Sequence, residues 1–370
     1  MGHTASELEW LRINAYLQEH RHELALRAAN GYPADARVAG TPLLAAPSWL
    51  PSQPVPLERV RLSFEPEAPP PRHTDIAAVA PCLLPERPDG SRYRAHSDAI
   101  AELAAPAVFE NRVTYRLTSA DLAGEEPRLG FTFGRFFDGT DVGGAAAHEY
   151  AAAQLGLGEG QPLRAAIKDP CDLAARPHSV AVGSLTLRHD RAAGKASFPL
   201  HWRDPRRVGH AGGMFQVIPV GIFQPSGEAE WNVANDFSLW RCLLREFAEE
   251  LLGTDEDHGS ETAPVDYEGW PLARRMTEAL GDGRIRAWCL GLGADPLTFA
   301  LDLLTVVAID APLYDELFGA SVKDNAEGEV LPLRPFDEPT IRDLLDRHPV
   351  QAAGAGLLTL ALGWRATLLA

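Results

Sequence analysis

The sequence predicts an α/β (α+β) protein with a mixed sheet and about two domains. Three observations carry that prediction. The chain has 370 residues, more than one ordinary domain, and 45% of them are hydrophobic against 23% charged, enough for a sizeable core. Short segments alternate strictly, as at Val113, Tyr115 and Leu117 and again at Leu129, Phe131 and Phe133, and read as strands. Elsewhere apolar residues recur at three- and four-residue steps, as at Trp240, Leu243, Leu244, Phe247 and Leu251, and read as a helix with one apolar face.

The elements follow in order. Ser6-Glu7-Leu8-Glu9 has the form of a capping box, so a helix should follow, with Leu8, Leu11, Leu17 and Leu24 among its apolar positions and its end near Gly31 and Pro33. From Pro47 to Pro71 the chain is Pro-rich and extended, with Trp49 and Leu50 packed against something larger. Val60, Leu62 and Phe64 alternate like a strand, Asp98 to Ala104 reads as a helix, and Gly143-Gly144 marks a turn before a helix over Ala145 to Leu155.

From about residue 178 the character changes. A strand over Val180 to Leu187, a turn at Arg191 to Gly194 and a strand over Ser197 to Trp202 make a hairpin. Met214 to Phe223 is a strand interrupted at Pro219 and Gly221. The acidic helix comes next, with Asp236 as its expected N-cap and Gly253 as its left-handed stop. A mobile acidic loop is expected over Asp255 to Tyr267, then a helix over Trp270 to Leu280 and a strand over Arg284 to Leu292. Phe299 to Ile309 is almost continuously apolar and reads as a buried strand; helices through Leu345 and over Ala352 to Leu369 close the chain. The expected domains are residues 1–172, with a helix, the Pro-rich segment and a mixed α/β unit, and residues 173–370.

Composition narrows the function. Lys and Arg total 34 against 51 Asp and Glu, a net charge of −17 that repels phosphate backbones and anionic membranes. Nucleic acid and membrane are therefore not expected partners. An anionic small substrate then requires a local Arg cluster or a metal. The four cysteines, Cys82, Cys171, Cys242 and Cys289, form no CxxC pair, which points away from structural zinc. No signal-peptide pattern or membrane-length apolar run is read, so a cytoplasmic setting is expected. Residues 1–6 fit a loose myristoylation pattern, but Ala- and Arg-rich, Lys-poor usage has a bacterial character that argues against it.

Several local patterns are set aside. His148-Glu149 begins like HExxH, but Ala152 stands where the second His belongs. Gly156, Gly158 and Gly160 are followed by Pro162 and lack a GK[ST] or GxGxxG signature, so they read as a loop. Arg203, Arg206 and Arg207 could meet phosphates, although a solvated turn accounts for them more simply. Asn111, Arg112 and Arg116 are better explained by a half-exposed strand than by a pocket.

The acidic helix carries the chemistry. Glu246, Glu249 and Glu250 fall within about one turn. Glu246 and Glu250 are i,i+4, and bare like charges at that spacing cost roughly 0.2–0.5 kcal/mol. A hard divalent cation would compensate, because clustered carboxylates are its natural ligands. Arg245 and Glu249 are also i,i+4, so the Arg can hold that carboxylate in position.

Arg245-Glu246-Phe247-Ala248-Glu249-Glu250 resembles the core of the Nudix box. That motif reads Gly, five residues, Glu, seven residues, then Arg-Glu-apolar-any-Glu-Glu-any-Gly-apolar. The flanks depart from it: Phe237 stands at the position of the box Glu, Trp231 at the first Gly, and Leu252 at the last Gly, one short of Gly253. Pro219-Val220-Gly221 and Gly227-Glu228 look like diverged forms of the family's Pro-Gly-Gly and Gly-Glu pairs. The intervening loop is long, with Glu228 or Glu230 as candidates to supply the missing acid.

Over residues 175–370 the resemblance implies a Nudix-like α/β/α sandwich with a mixed sheet. It implies Mg²⁺ or Mn²⁺ held by Glu246, Glu249 and Glu250, with Arg245 orienting the carboxylates and Glu246 in reach of a second role as base. The implied activity is hydrolysis of a small molecule containing a diphosphate, commonly nucleoside-linked, in a chain able to form a homodimer. Two alternatives stand beside it: a Nudix-like ligand-binding or regulatory protein without catalysis, and a non-hydrolytic enzyme of a specialised pathway on the same scaffold.

Overall fold

The structure is a computed structural model that describes residues 2–158, 160–204, 206–207, 212–254, 259–319, 323–325 and 328–370. It is an α+β fold built on two sheets. Part of the expected acidic loop over Asp255 to Tyr267 lies outside the described residues.

The chain opens with α1 (Ala5–Glu19) and α2 (Arg21–Ala29), which break apart at His20. The capping box is Thr4 with Glu7, two residues before the expected one: the Thr4 hydroxyl accepts from the Glu7 amide at 3.0 Å, and the Glu7 carboxylate accepts from the Thr4 amide at 2.8 Å. The shift follows from which face can be buried. Trp10, Ile13 and Leu17 are covered, whereas Leu8 is 54% exposed.

The Pro-rich segment is extended, as expected, and carries the two-residue β1 (Val55–Pro56) and β2 (Arg61–Phe64). Trp49 is buried in the main core. After α3 (His96–Leu103), β3 (Val113–Asp121) and β4 (Arg128–Arg135) form with β2 a three-stranded sheet ordered β2-β4-β3. The Ala-rich α4 (Ala145–Gln154) packs its small side chains against α1 and α2.

The larger sheet is ordered β1-β9-β10-β5-β6-β11, with two short strands beside it. Its strands are β5 (Val180–Asp190), β6 (Lys195–Arg203), β7 (Phe215–Gln216), β8 (Val220–Ile222), β9 (Ile285–Ala294), β10 (Leu301–Asp310) and β11 (Gly328–Pro335). β10 runs parallel to β5, from Leu301 opposite Val180 to Asp310 opposite His189, and antiparallel to β9. β10 is buried from Leu301 to Ile309, the burial its unbroken apolar run requires when both faces are covered. β5 pairs with β8 near its start and with β6 near its end.

Five helices belong to this half: α5 (Glu230–Asn235), α6 (Leu239–Glu246), α7 (Pro271–Gly281), α8 (Ala311–Phe318) and α9 (Glu338–Arg347). A sixth, α10 (Ala352–Gly363), is apolar all round and buried for most of its length. It stops at Trp364 and a separate turn over Arg365–Leu368 follows, so the expected single helix to Leu369 is two pieces. No helix among the described residues is long and apolar enough to cross a membrane.

The N-terminal segments share the core of the larger sheet. β1 pairs with β9, and Val38, Leu43, Trp49, Tyr115 and Phe131 sit in one apolar cluster with β5, β9 and β10. The small sheet is stitched on by backbone: the Tyr115 amide donates to the Phe223 carbonyl at 3.2 Å and the Leu117 amide to the His178 carbonyl at 3.1 Å. This joint brings β3 against the strand and loop that lead into the acidic helix.

Candidate functional site on the acidic helix

α6 starts at Ser238, whose hydroxyl accepts from the Arg241 amide at 3.4 Å. The expected cap, Asp236, instead ends α5 and is fully buried. Leu243, Leu244, Phe247 and Leu251 form the buried face, and the Cys242 thiol lies 3.8 Å from the Ile222 carbonyl, which fixes α6 against β8. Burial, then the nearby Glu246, push that thiol's pKa up, so Cys242 is an inert core residue. At Phe247 the helix passes into a π-turn, Phe247–Leu251. Gly253 closes it with φ +68°, the left-handed stop the sequence implies, and the Gly253 amide donates to the Glu249 carbonyl at 3.1 Å.

The residues of the motif divide into two groups. Arg245 turns inward. Its guanidinium donates to the Tyr267 hydroxyl at 2.6 Å and to the Gln224 carbonyl at 2.7 Å, and lies 3.4 Å from the Asp236 carboxylate. The Tyr267 hydroxyl donates to Asp236 at 2.7 Å, and Asp236 also accepts from the Ser226 amide and hydroxyl at 2.7 and 2.6 Å. Burial opposes the charge on Arg245, but Cys242, Tyr267 and Asp236 outweigh it and its pKa is raised. The expectation that Arg245 holds Glu249 is therefore corrected. At i,i+4 the pair is close along the helix, but a fully buried carboxylate attracts a guanidinium far more than a solvated one does.

The acids lie along β8. Gly221 has no Cβ, and the Glu246 carboxylate fills that space: a Cβ built there would fall 1.8 Å from the Glu246 carboxylate carbon. Glu250 is buried and accepts from the Val220 amide at 3.0 Å. Its second oxygen is 3.7 Å from His201 Nδ1 on β6, and its backbone carbonyl accepts from the Asn325 side chain at 3.1 Å. Glu249 is half-buried. The three carboxylates thus do not share one solvated face as the helical spacing predicts, because the π-turn and the contact with β8 put Glu250 inside.

Their donor chemistry, all oxygen, fits a hard divalent cation, and the missing Cβ at Gly221 is what admits the Glu246 carboxylate against the strand. Among the described residues, however, no three His, Cys, Asp or Glu side chains already converge on one cation-sized position. Glu246 and Glu249 are half-buried, and Glu250 is buried and anchored on the Val220 amide.

No family model matches the chain, and no curated protein does. The site is therefore read from its own residues. The two candidates for the missing box acid do not reach the helix: Glu228 accepts from the Val113 amide at 3.0 Å and meets Arg135 at 3.4 Å, and Glu230 is exposed. The acid that meets Arg245 is Asp236, adjacent to the motif position. Phe237, at that position, packs with Phe64, Tyr115, Phe131 and Phe223.

The loop arginines are engaged within the chain. Arg206 donates to Asp204 at 2.7 and 3.0 Å, Arg207 donates to Asp324 at 2.8 Å and to the Asn325 carbonyl at 2.6 Å, and Arg203 is buried. His148 stacks on Trp10, and Glu149 accepts from the Leu163 and Arg164 amides at 2.8 Å, which confirms a structural use for both. His201, Asn325, Asp236 and Tyr267 are neighbours of the motif that sequence reasoning missed. Each lies on a different element, and no short-range pattern connects them to the motif.

Proposed function

We propose that this chain is a Nudix-type protein that binds Mg²⁺ or Mn²⁺ at the acidic helix and hydrolyses a small molecule containing a diphosphate. The observation that carries the reading is the contact of two helix acids with neighbouring residues of β8: the Glu246 carboxylate lies against Gly221, and Glu250 accepts from the Val220 amide. Like charges four residues apart on a helix repel, and a cation between the strand and the helix relieves that repulsion. The mixed sheet with helices packed on it is consistent with the sandwich such proteins use. Glu246 and Glu249 would hold the cation, with Glu250 as the anchored third ligand. When bound, the metal neutralises charge on phosphoryl oxygens and lowers the pKa of a bound water. Arg245 contributes by fixing the helix through Asp236 and Tyr267. A cytoplasmic location and a homodimer belong to the same proposal.

A second reading has one observation in its favour. Phe237, at the position of the box Glu, is part of an aromatic cluster, and the remaining acids are not gathered in advance. That arrangement suits a ligand-binding or regulatory module on the same scaffold, with catalysis lost.

Thermal unfolding in Mg²⁺ or Mn²⁺ separates these readings when combined with turnover. A cation bound only by the native state raises the melting temperature with concentration. The wild type should show the rise, and Glu249→Gln and Glu250→Gln should not. Phosphate release from a panel of nucleoside diphosphate compounds then marks a hydrolase; a cation response without release marks a binding module. A wild type indifferent to both metals defeats the cation reading.

A further inference from the structure

We propose that Trp10, His96 and His148 form an acid-operated clasp on α1: protonation of the two histidines lets α1 come away while the larger sheet stays folded. The three rings come from three helices, α1, α3 and α4. Trp10 stacks on His148 with ring centres 5.1 Å apart, and His96 closes the triangle at 5.5 Å from each. Trp10 is 3% exposed and each histidine 2%. α1 buries its apolar face in two small clusters: Trp10 in one with Tyr93, Val142 and Ala146, Ile13 and Leu17 in another with Ala147 and Ala151. Neither cluster is part of the core of the larger sheet, so α1 can open as a unit of its own.

The triangle accommodates neutral rings only. His148 Nε2 lies 3.2 Å from the Trp10 carbonyl, which can only accept, so Nε2 carries the proton and Nδ1 keeps its lone pair. Among the described residues, His148 Nδ1, His96 Nδ1 and Trp10 Nε1 are buried with no hydrogen-bond partner. A proton added at His148 Nδ1 therefore brings a charge and an N–H into an interior that offers no acceptor. Burial, and then His148, push the pKa of His96 well down, and burial pushes that of His148 to about 4 against a smaller upward pull from the Trp10 carbonyl. Both are lowered by folding. The stability they confer is thus complete above about pH 6.5 and is lost as the pH falls toward 4.

The acids on the packed elements do not drive release in that window. Glu7, on α1, is held below the ordinary carboxylate range by the Thr4 amide, so it stays charged there. Asp141, before α4, accepts from the Ser97 amide at 2.7 Å, and Glu149, on α4, accepts from the Leu163 and Arg164 amides. Burial raises both, so acid favours their folded forms. Asp98, on α3, is exposed, and His3 lies 3.5 Å from the Glu7 carboxylate. Burial lowers His22 on α2 as well, but that ring meets the Val350 backbone.

The test is amide hydrogen exchange of the full chain between about pH 7 and about pH 4.5, expressed as protection so that the direct effect of pH on exchange is removed. Ile13 and Leu17 report on α1 and Val306 on β10. Protection in α1 should fall about tenfold per pH unit for each histidine that takes a proton, up to about a hundredfold for both, and should stay below that of Val306 throughout. His148→Gln, which keeps a donor for the Trp10 carbonyl, should remove one tenfold step, and His96→Gln combined with it should remove both. Equal protection at α1 and Val306 overturns the proposal, because the helix then opens only with the whole molecule. So does α1 protection that does not fall with acid, or a double variant that keeps the wild-type slope. If the double variant does not fold, His148→Gln decides: one step lost sustains the clasp, and none lost overturns it.

Discussion

Arg245 and Glu250 stand five residues apart in one helix, and both are buried, yet they are buried in opposite ways. Around Arg245 the charges are matched: a guanidinium, a carboxylate, a phenol and a backbone carbonyl satisfy one another in the interior. Around Glu250 a carboxylate is held by a backbone amide and lies beside an imidazole at the rim of a strand, next to two acids that keep some exposure. The first arrangement is complete in itself. The second concentrates negative charge where a cation could enter. A contiguous six-residue motif thus separates into an arginine paired within the interior and acids set toward β8, to which the proposed cation role belongs. Substitutions at the two ends should report that division.

The largest effect belongs to Arg245→Met. It leaves the fully buried Asp236 with its guanidinium gone, and breaking a buried pair from one side costs about 3–5 kcal/mol. Urea unfolding measures it. Glu249→Gln, by contrast, should stay within about 0.5 kcal/mol of wild type. If the two variants lose similar stability, the division between the ends does not hold. Arg245→Lys should recover little, because one ammonium cannot reproduce the fork that reaches Tyr267 and Gln224 together.

The intermediate effect belongs to Tyr267→Phe. The hydroxyl accepts from Arg245 at 2.6 Å and donates to Asp236 at 2.7 Å, so its removal takes two bonds from charged groups while keeping the ring. A loss of about 1.5–3 kcal/mol in the same unfolding assay is expected. The cation-dependent rise in melting temperature should survive, since neither Glu246 nor Glu249 depends on that hydroxyl. A variant of full stability would mean that Arg245 and Asp236 need no bridge. Loss of the cation response would join the two ends that the geometry keeps apart.

Much of this architecture was legible from local pattern, and the remainder was not for identifiable reasons. Alternation at Val113 to Leu117 and at Leu129 to Phe133 marks β3 and β4, and the apolar run from Phe299 marks β10, because strand burial writes itself into period-two or continuous sequences. Pro219 marks the interruption between β7 and β8, whereas Gly221, expected to break the strand, lies inside β8; Gly253 marks the stop of the acidic helix. β11 was hidden by Pro332 and Pro335, which argue against a strand in general but are tolerated on an edge.

The site was less legible than the fold. Asp236 looks like a cap because a short acid before a helix usually is one, and only Tyr267, 31 residues later, reveals its other use. Glu250 looks solvated because ordinary helical periodicity places it with Glu246 and Glu249, and the π-turn at Phe247 changes the phase. His201 and Asn325 reach Glu250 from separate strands and loops, a relation that no single-sequence pattern encodes.

A small expected change in stability, and the sharpest division between the two ends, belongs to Gly221→Ala. Gly221 lies in β8 without a positive φ, so alanine meets no backbone strain there. The three nearest atoms that a methyl group would meet, at 1.8 to 2.2 Å, belong to the Glu246 carboxylate, the far end of a side chain with three rotatable bonds. The carboxylate should swing aside, and stability should change by less than about 1 kcal/mol. The cation response is another matter, because the space by which Glu246 approaches the strand is then filled. Gly221→Ala should therefore unfold in urea almost as wild type does, yet show little rise in melting temperature with Mn²⁺. It is the mirror image of Tyr267→Phe, which should lose stability and keep the response. If Gly221→Ala retains the full response, Glu246 binds the ion from some other position, or does not bind it, and the cradle on β8 has no part in the chemistry.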